Sequence, residues 1–132
     1  MTRAGASPPG RPGRTRVLIA EDDESLRALL RLSVDVGEID IDEAPDGETA
    51  ILLAHENPPD IALLDWAMPG ITGLDVCRAL RADPRSAGAL IVVVTARVLK
   101  GDREEALAAG ADHYVGKPFS PVELLGIVRH AL

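Results

Sequence analysis

An aspartate at the end of a short apolar run is the first residue of this chain whose setting suggests chemistry. Asp60-Ile61-Ala62-Leu63-Leu64-Asp65-Trp66-Ala67-Met68-Pro69-Gly70 reads as a buried strand closed by an acid and a Pro-Gly turn. A carboxylate there must be paired, metal-bound or protonated, because a lone buried charge is too costly. Other apolar runs end in the same manner: Val17-Leu18-Ile19-Ala20 in Glu21 and Asp22, Leu90 to Val94 in Thr95, and His113-Tyr114-Val115 shortly before Lys117. If these strands lie parallel in one sheet, their carboxyl ends share an edge, the place where open α/β sheets bind ligands. Three carboxylates gathered there repel by roughly 4 kcal/mol per pair at about 4 Å and an effective dielectric of about 20. They coexist ionised only with a cation among them. An all-oxygen site with few ligands suits Mg²⁺, with Mn²⁺ as the alternative, and leaves room for a phosphate oxygen.

The elements that must position these residues follow from periodicity. Leu26, Leu29, Leu30, Ser33 and Val34 recur at helical spacing, and Gly37 is read as closing that helix. Ile39 and Ile41 alternate with Asp40 and Asp42, which predicts a half-exposed, edge-like strand. Pro45-Asp46-Gly47 starts a helix with Ala50, Ile51 and Ala54 inside, and Asn57-Pro58-Pro59 stops it. Thr72-Gly73-Leu74-Asp75 resembles a capping box before the inner stripe Leu74, Cys77 and Leu80. Ala89 to Val94 is apolar on both faces and therefore a central strand. A helix is expected over about 100–109 with Gly110 as its stop, and Ser120-Pro121-Val122-Glu123 opens the last one, packed through Leu124, Leu125, Val128 and Leu132. Five strands alternating with five helices predict a doubly wound α/β domain with a parallel sheet and right-handed crossovers.

Composition narrows the function classes. The formal charge of the 132 residues is -7, but residues 1–15 hold three arginines and no acid. The remainder therefore carries 11 basic against 21 acidic side chains, a net of -10, which argues against direct nucleic-acid binding by this body. Residues 1–15, rich in Pro, Gly, Ser and Arg, are read as a disordered tail, and residues 16–132 as one domain. The single Cys77 excludes an internal disulfide and is read as an inert core residue. No apolar run reaches the length of a membrane span and no signal-peptide core is present, so a cytoplasmic location without membrane contact is expected. His55, His113 and His130 are too far apart to suggest a ligand set.

Four stretches in order, Leu18-Ile19-Ala20-Glu21-Asp22, Leu63-Leu64-Asp65-Trp66-Ala67-Met68-Pro69-Gly70, Val94-Thr95-Ala96 and Lys117-Pro118-Phe119, resemble the receiver domain of two-component response regulators. The resemblance runs from residue 16 to 132. It implies a doubly wound (βα)5 flavodoxin-like three-layer sandwich with sheet order 2-1-3-4-5, an order that the residues alone do not give. It further implies that Asp65 takes a phosphoryl group from a phosphohistidine of a sensor histidine kinase or histidine phosphotransfer protein. Mg²⁺ would be held by Asp22, Asp65 and the backbone carbonyl of Ala67, with Glu21 acting through a water. Lys117 would contact a phosphoryl oxygen, Thr95 would turn its hydroxyl to the same group, and Tyr114 would move with it as a switch. The face formed by the fourth helix, fifth strand and fifth helix would then bind a downstream effector. A cis Lys117-Pro118 bond comes with the same resemblance.

Other readings of the same residues stand beside these. Asp23 and Glu24 are assigned to capping the first helix. Ala67 and Arg97 match positions where the family tunes the lifetime of its acyl phosphate. Self-phosphorylation from small donors with slow loss is expected rather than sustained turnover. Arg103 and Glu123 match one charge pair of a dimer used by winged-helix transcription regulators, whereas His113 and Ile127 depart from others, so a monomer and a phosphorylation-dependent homodimer both stand. A free-standing regulator, the receiver of a larger DNA-binding regulator, and a phosphorylation-independent interaction module are the organisations left open. A haloacid-dehalogenase-type phosphatase would want a second acid at the position of Ala67, and a flavodoxin would not place acids after the first strand.

Overall fold

The computed structural model describes residues 14–97 and 99–132. The strands are β1 (Thr15–Ala20), β2 (Ile39–Ala44), β3 (Ile61–Leu64), β4 (Leu90–Thr95) and β5 (His113–Gly116). They alternate with the helices α1 (Glu24–Val34), α2 (Gly47–Glu56), α3 (Gly73–Ala82), α4 (Asp102–Ala108) and α5 (Pro121–Val128), and a short 3₁₀ turn covers Arg129–Ala131. All pairings are parallel and the order is β2-β1-β3-β4-β5, the doubly wound arrangement that the strand pattern and the resemblance predict. Parallel strands need crossover connections, and α1 to α4 each supply one, while α5 follows the last strand.

Side-chain alternation divides the core into two layers. Val17, Ile19, Ile61, Leu63, Val92 and Val94 point to one face, where Leu30 and Val34 of α1 and Leu124 and Val128 of α5 cover them. Leu18, Ala20, Ala62, Leu64, Ile91 and Val93 point to the other, under Leu53 of α2, Leu74 and Cys77 of α3, and Ala106 of α4. Small alanines on the second face let three helices approach. Cys77 is buried there, its thiol donating to the Ala109 carbonyl at 3.4 Å, and burial pushes its pKa up, as expected of an inert core cysteine.

Several expectations are corrected. Strand β2 does lie at the sheet edge, but Asp40 and Asp42 are buried rather than half-exposed. Arg16 of β1 pairs with both, at 3.6 Å and 3.1 Å, and Arg14 adds a contact to Asp40 at 3.1 Å. The fold thus takes in Arg14 and Thr15, which composition groups with the tail; the rest of that tail, residues 1–13, lies outside the described residues. Leu29 faces outward and Leu53 takes the inner place in α2 beside a half-buried Ile51. Helix α1 ends at Val34 with Asp35 as its cap, before Gly37. Helix α4 starts at Asp102 because Gly101 is left-handed, φ 91°, which breaks the helix expected from residue 100.

Arg81 joins the end of α3 to two loops. Its guanidinium donates to the Gly110 carbonyl at 2.9 and 2.7 Å, to Ala87 at 2.8 Å, to Ala89 at 2.6 Å and to Asp112 at 2.9 Å. A lysine offers no rigid fork and cannot serve so many acceptors at once. Arg81→Lys is expected to lower the unfolding free energy by about 2 kcal/mol in urea melts, from carbonyls left without donors.

Candidate functional site

The ladder carries the acids to a common edge. Beyond the strands, Glu21 N–H donates to the Ala44 carbonyl at 3.0 Å and Asp65 N–H to the Ala20 carbonyl at 2.9 Å, so both residues sit one step past the last paired residues. The side chains are 1% and 6% exposed, whereas Asp22 beside them is exposed. One carboxylate oxygen of each of Glu21, Asp22 and Asp65 lies within 4.8 Å of the others, the cluster that the strand ends predict.

Lys117 reaches this cluster from the far side of β4. Its N–H donates to the Thr95 carbonyl at 2.9 Å, and its Nζ meets Glu21 Oε1 at 2.6 Å and Asp65 Oδ2 at 3.2 Å. The Lys117-Pro118 peptide is cis. Burial pushes the Glu21 carboxyl above its ordinary value and the Asp65 charge adds to this, while the Lys117 ammonium and the Asp23 N–H pull against them. Burial would lower the Lys117 pKa, but the Glu21 hydrogen bond and the Asp65 charge outweigh it and hold the ammonium protonated.

Thr95 ends β4 and is 1% exposed. Its Oγ1 accepts from the Arg97 N–H at 3.2 Å, and the Tyr114 hydroxyl donates to the Arg97 carbonyl. The two residues expected to move together are therefore joined through one peptide segment. Trp66 meets Tyr114 edge-on, with ring centroids 6.4 Å apart, and the Arg97 guanidinium lies 4.2 Å above the Trp66 ring. Arg97 also pairs with Asp102 at 3.2 Å, whose other oxygen accepts from the Leu99 N–H at 2.9 Å. These bonds, the Arg97 one first, hold the Asp102 carboxyl below its ordinary value against the effect of burial.

The remaining expected residues take simpler places. Asp23 caps α1, accepting from the Leu26 N–H at 2.9 Å, and Glu24 sits in the first turn. Thr72 and Asp75 form the reciprocal capping box. Ala67 lies in the exposed loop two residues past Asp65, and the three histidines are exposed and scattered, His55 facing Arg85. Asp102, Trp66 and Arg27 escaped sequence reasoning as parts of the surroundings. Only Asp102 left a signal, an acid in the first turn of a helix.

A doubly wound sheet thus gathers three acids and a lysine at its carboxyl edge, where open α/β sheets bind ligands, and the acids are of a kind able to bind a metal. The family follows directly: the chain belongs to the response regulator receiver domain family, whose model matches residues 17–129. It is a receiver domain of two-component response regulators, and such domains interact with histidine kinases and effectors. Over 117 residues it is 38% identical to the phosphate regulon transcriptional regulatory protein PhoB of Rhizobium meliloti, covering 89% of this chain and 52% of that protein. Over 119 residues it is 42% identical to the DNA-binding response regulator MtrA of Mycolicibacterium smegmatis, covering 90% and 51%. The chain thus spans about half the length of these curated relatives. Among solved structures, the Vibrio cholerae chemotaxis protein CheY4 superposes with a TM-score of 0.82 at 26% identity, over 91% of this chain and all of that one. Among the described residues, no helix is long and apolar enough to cross a membrane.

Proposed function

We propose that Asp65 is the phosphoacceptor of this receiver and that Glu21, Asp22, Thr95, Lys117 and Tyr114 serve that one reaction. The observation that carries this reading is the meeting of three carboxylates within 4.8 Å with an ammonium bonded to two of them. The donor set fits Mg²⁺, or Mn²⁺ in its place: hard oxygen ligands on three acids, one of them solvent-exposed, with the Lys117 ammonium paired to two of the three. Asp22, Asp65 and the Ala67 carbonyl would hold the ion, with Glu21 acting through a water. When bound, the ion supplies charge neutralisation between the attacking carboxylate and the phosphoryl oxygens.

The residues of the chain do the rest. An Asp65 Oδ attacks phosphorus, an O–P bond forms, the N–P bond of the phosphohistidine breaks, and its electron pair returns to the imidazole nitrogen. Lys117, already beside Asp65, transfers its donor from the carboxylate to a phosphoryl oxygen. The Thr95 hydroxyl turns towards the same group, and because its Oγ1 and the Tyr114 hydroxyl both bond Arg97, Tyr114 follows. The α4-β5-α5 face then changes for an effector, or for a second copy through pairs such as Arg103 with Glu123. Moving such an equilibrium from 1:99 to 99:1 takes about 5.5 kcal/mol of differential stabilisation.

The reading as one domain behind an N-terminal tail, its start moved back from residue 16 to Arg14, and a cytoplasmic site of action belong to the same proposal. The half-length match to DNA-binding regulators favours a second organisation, in which this receiver controls a separate DNA-binding part while making no nucleic-acid contact itself. Treating the purified protein with acetyl phosphate and Mg²⁺ is expected to add the mass of one phosphoryl group, lost again in hydroxylamine. No gain, or a gain that persists in Asp65→Asn, would overturn the assignment.

A further inference from the structure

The β1-α1 loop that carries Glu21 and Asp22 is gripped from outside the acid cluster. Arg27 of α1 sends its Nη1 to the backbone carbonyl of Glu21 at 2.9 Å and its Nε to Glu43 Oε1 at 3.5 Å. Glu43, next to last in β2, gives its other oxygen to Arg31 at 2.6 Å. The Arg27 side chain is only 19% exposed, and its backbone is fixed in the helix by an N–H bond to the Asp23 carbonyl at 2.9 Å.

The carbonyl it holds belongs to the Glu21–Asp22 peptide, and the plane of that peptide sets the direction in which the Asp22 Cα leaves the strand. On its other side, Glu21 is already tied by its N–H to Ala44. With both ends of Glu21 fastened, and the Asp23 N–H donating to Glu21 Oε2 at 3.1 Å, the backbone path into Asp22 is set, although its own side chain is exposed. Without Arg27 the carbonyl loses its one side-chain donor among the described residues, the peptide is held only by the Asp23 bond beyond it, and the bearing of the Asp22 carboxylate on Asp65 loosens.

We propose that Arg27 is a positioning residue for the metal-binding acids: by holding the Glu21 carbonyl, and itself held by Glu43, it keeps Asp22 turned to Asp65. The inference rests on the reading of the cluster as a Mg²⁺ site. It assigns no contact between Arg27 and either the ion or the phosphoryl group. Groups that orient metal ligands from behind typically set affinity by a factor of about 10–100.

The test titrates Mg²⁺ into the full chain and follows Trp66, the single tryptophan, which is adjacent to Asp65. Arg27→Ala is expected to raise the Mg²⁺ dissociation constant about tenfold, with Arg27→Lys and Glu43→Gln causing smaller rises. At saturating Mg²⁺, phosphorylation by acetyl phosphate should return to the wild-type rate in all three. Amide hydrogen exchange without metal should rise at Asp22 and Asp23 but not at Leu63 or Val93. An unchanged dissociation constant in the Arg27 variants, or a phosphorylation rate that stays low at saturation, overturns the inference while the metal site stands. A wild-type protein that binds no Mg²⁺ overturns the underlying reading instead. Should Arg27→Ala fail to fold, Arg27→Lys and Glu43→Gln still decide the matter.

Discussion

Gly73→Ala is expected to cost at least about 3 kcal/mol of stability, at or beyond the upper end of ordinary overpacking, and to impair whatever phosphoryl acceptance survives in the folded fraction. Gly73 is the first residue of α3, and its N–H donates to the Trp66 carbonyl at 2.9 Å. A Cβ there would collide with the Asp65 carbonyl oxygen and stand 2.8 Å from its carbon and 3.1 Å from the Trp66 Cα. All three are backbone atoms, so no side chain can turn aside to relieve the clash. Either α3 backs away, opening the layer that holds Leu74 and Cys77, or the Asp65-Trp66 peptide shifts and takes the candidate acceptor with it. Gly126→Ala provides the contrast. Gly126 is an exposed glycine within α5 with open space where its Cβ would go, and the change should stabilise by about 0.5–1 kcal/mol. Urea melts of the two variants check both signs. A Gly73→Ala protein of wild-type midpoint would show that the contact of helix and acceptor strand is not rigid.

That contrast also marks what the residue string carries. Asp65 and Glu21 are legible because each follows an apolar run that reads as a buried strand, and parallel strands bring such ends together; Lys117 follows a short, partly exposed strand and is legible through the resemblance. The two faces of the sheet are legible for the same reason: alternate residues of β1, β3 and β4 are all apolar, so both sides must be covered. Asp40 and Asp42 are misread because alternation takes polar for exposed. Their partners Arg16 and Arg14 are about two dozen residues away, and only the register Arg16↔Asp40 of the finished ladder reveals the pairing. Gly73 and Arg27 fall to the same limit. Each acts on a backbone atom of another segment, and a backbone carbonyl has no letter in the sequence. The helix that starts at Asp102 rather than residue 100 is a local failure: nothing in Leu99-Lys100-Gly101 distinguishes a helical glycine from a left-handed one.

Lys117→Met is expected to destabilise the metal-free protein by about 3 kcal/mol at pH 7, the scale of breaking a buried ion pair by removing one partner. Methionine keeps much of the stem volume, so the loss is electrostatic in origin. The variant leaves Glu21, 1% exposed, and Asp65, 6% exposed, facing each other with no ammonium between them. For Glu21, burial and the Asp65 charge already raise the pKa, and the substitution deletes the Lys117 bond that opposes them. Its folded-state pKa therefore climbs further above the unfolded value. Between the two values the native protein binds more protons than the unfolded chain, so stability falls as pH rises through that window. The deficit should be small below about pH 4, where the carboxyl is protonated in both states, and complete once the pH exceeds the folded-state value. Wild type should show the same slope in weaker form. Divalent cation offers an independent check, because binding only to the folded state stabilises by about 2.7 kcal/mol at a hundred times the dissociation constant. If the acids form the metal site, Mg²⁺ should restore more stability to Lys117→Met than it adds to wild type, since it alone then offsets the repulsion. Thermal melts across pH 4–8, with EDTA and with Mg²⁺, read all of these terms. A variant as stable as wild type in EDTA at pH 7 would mean that Lys117 does not neutralise the acids it touches, and the electrostatic account of the site would have to be abandoned.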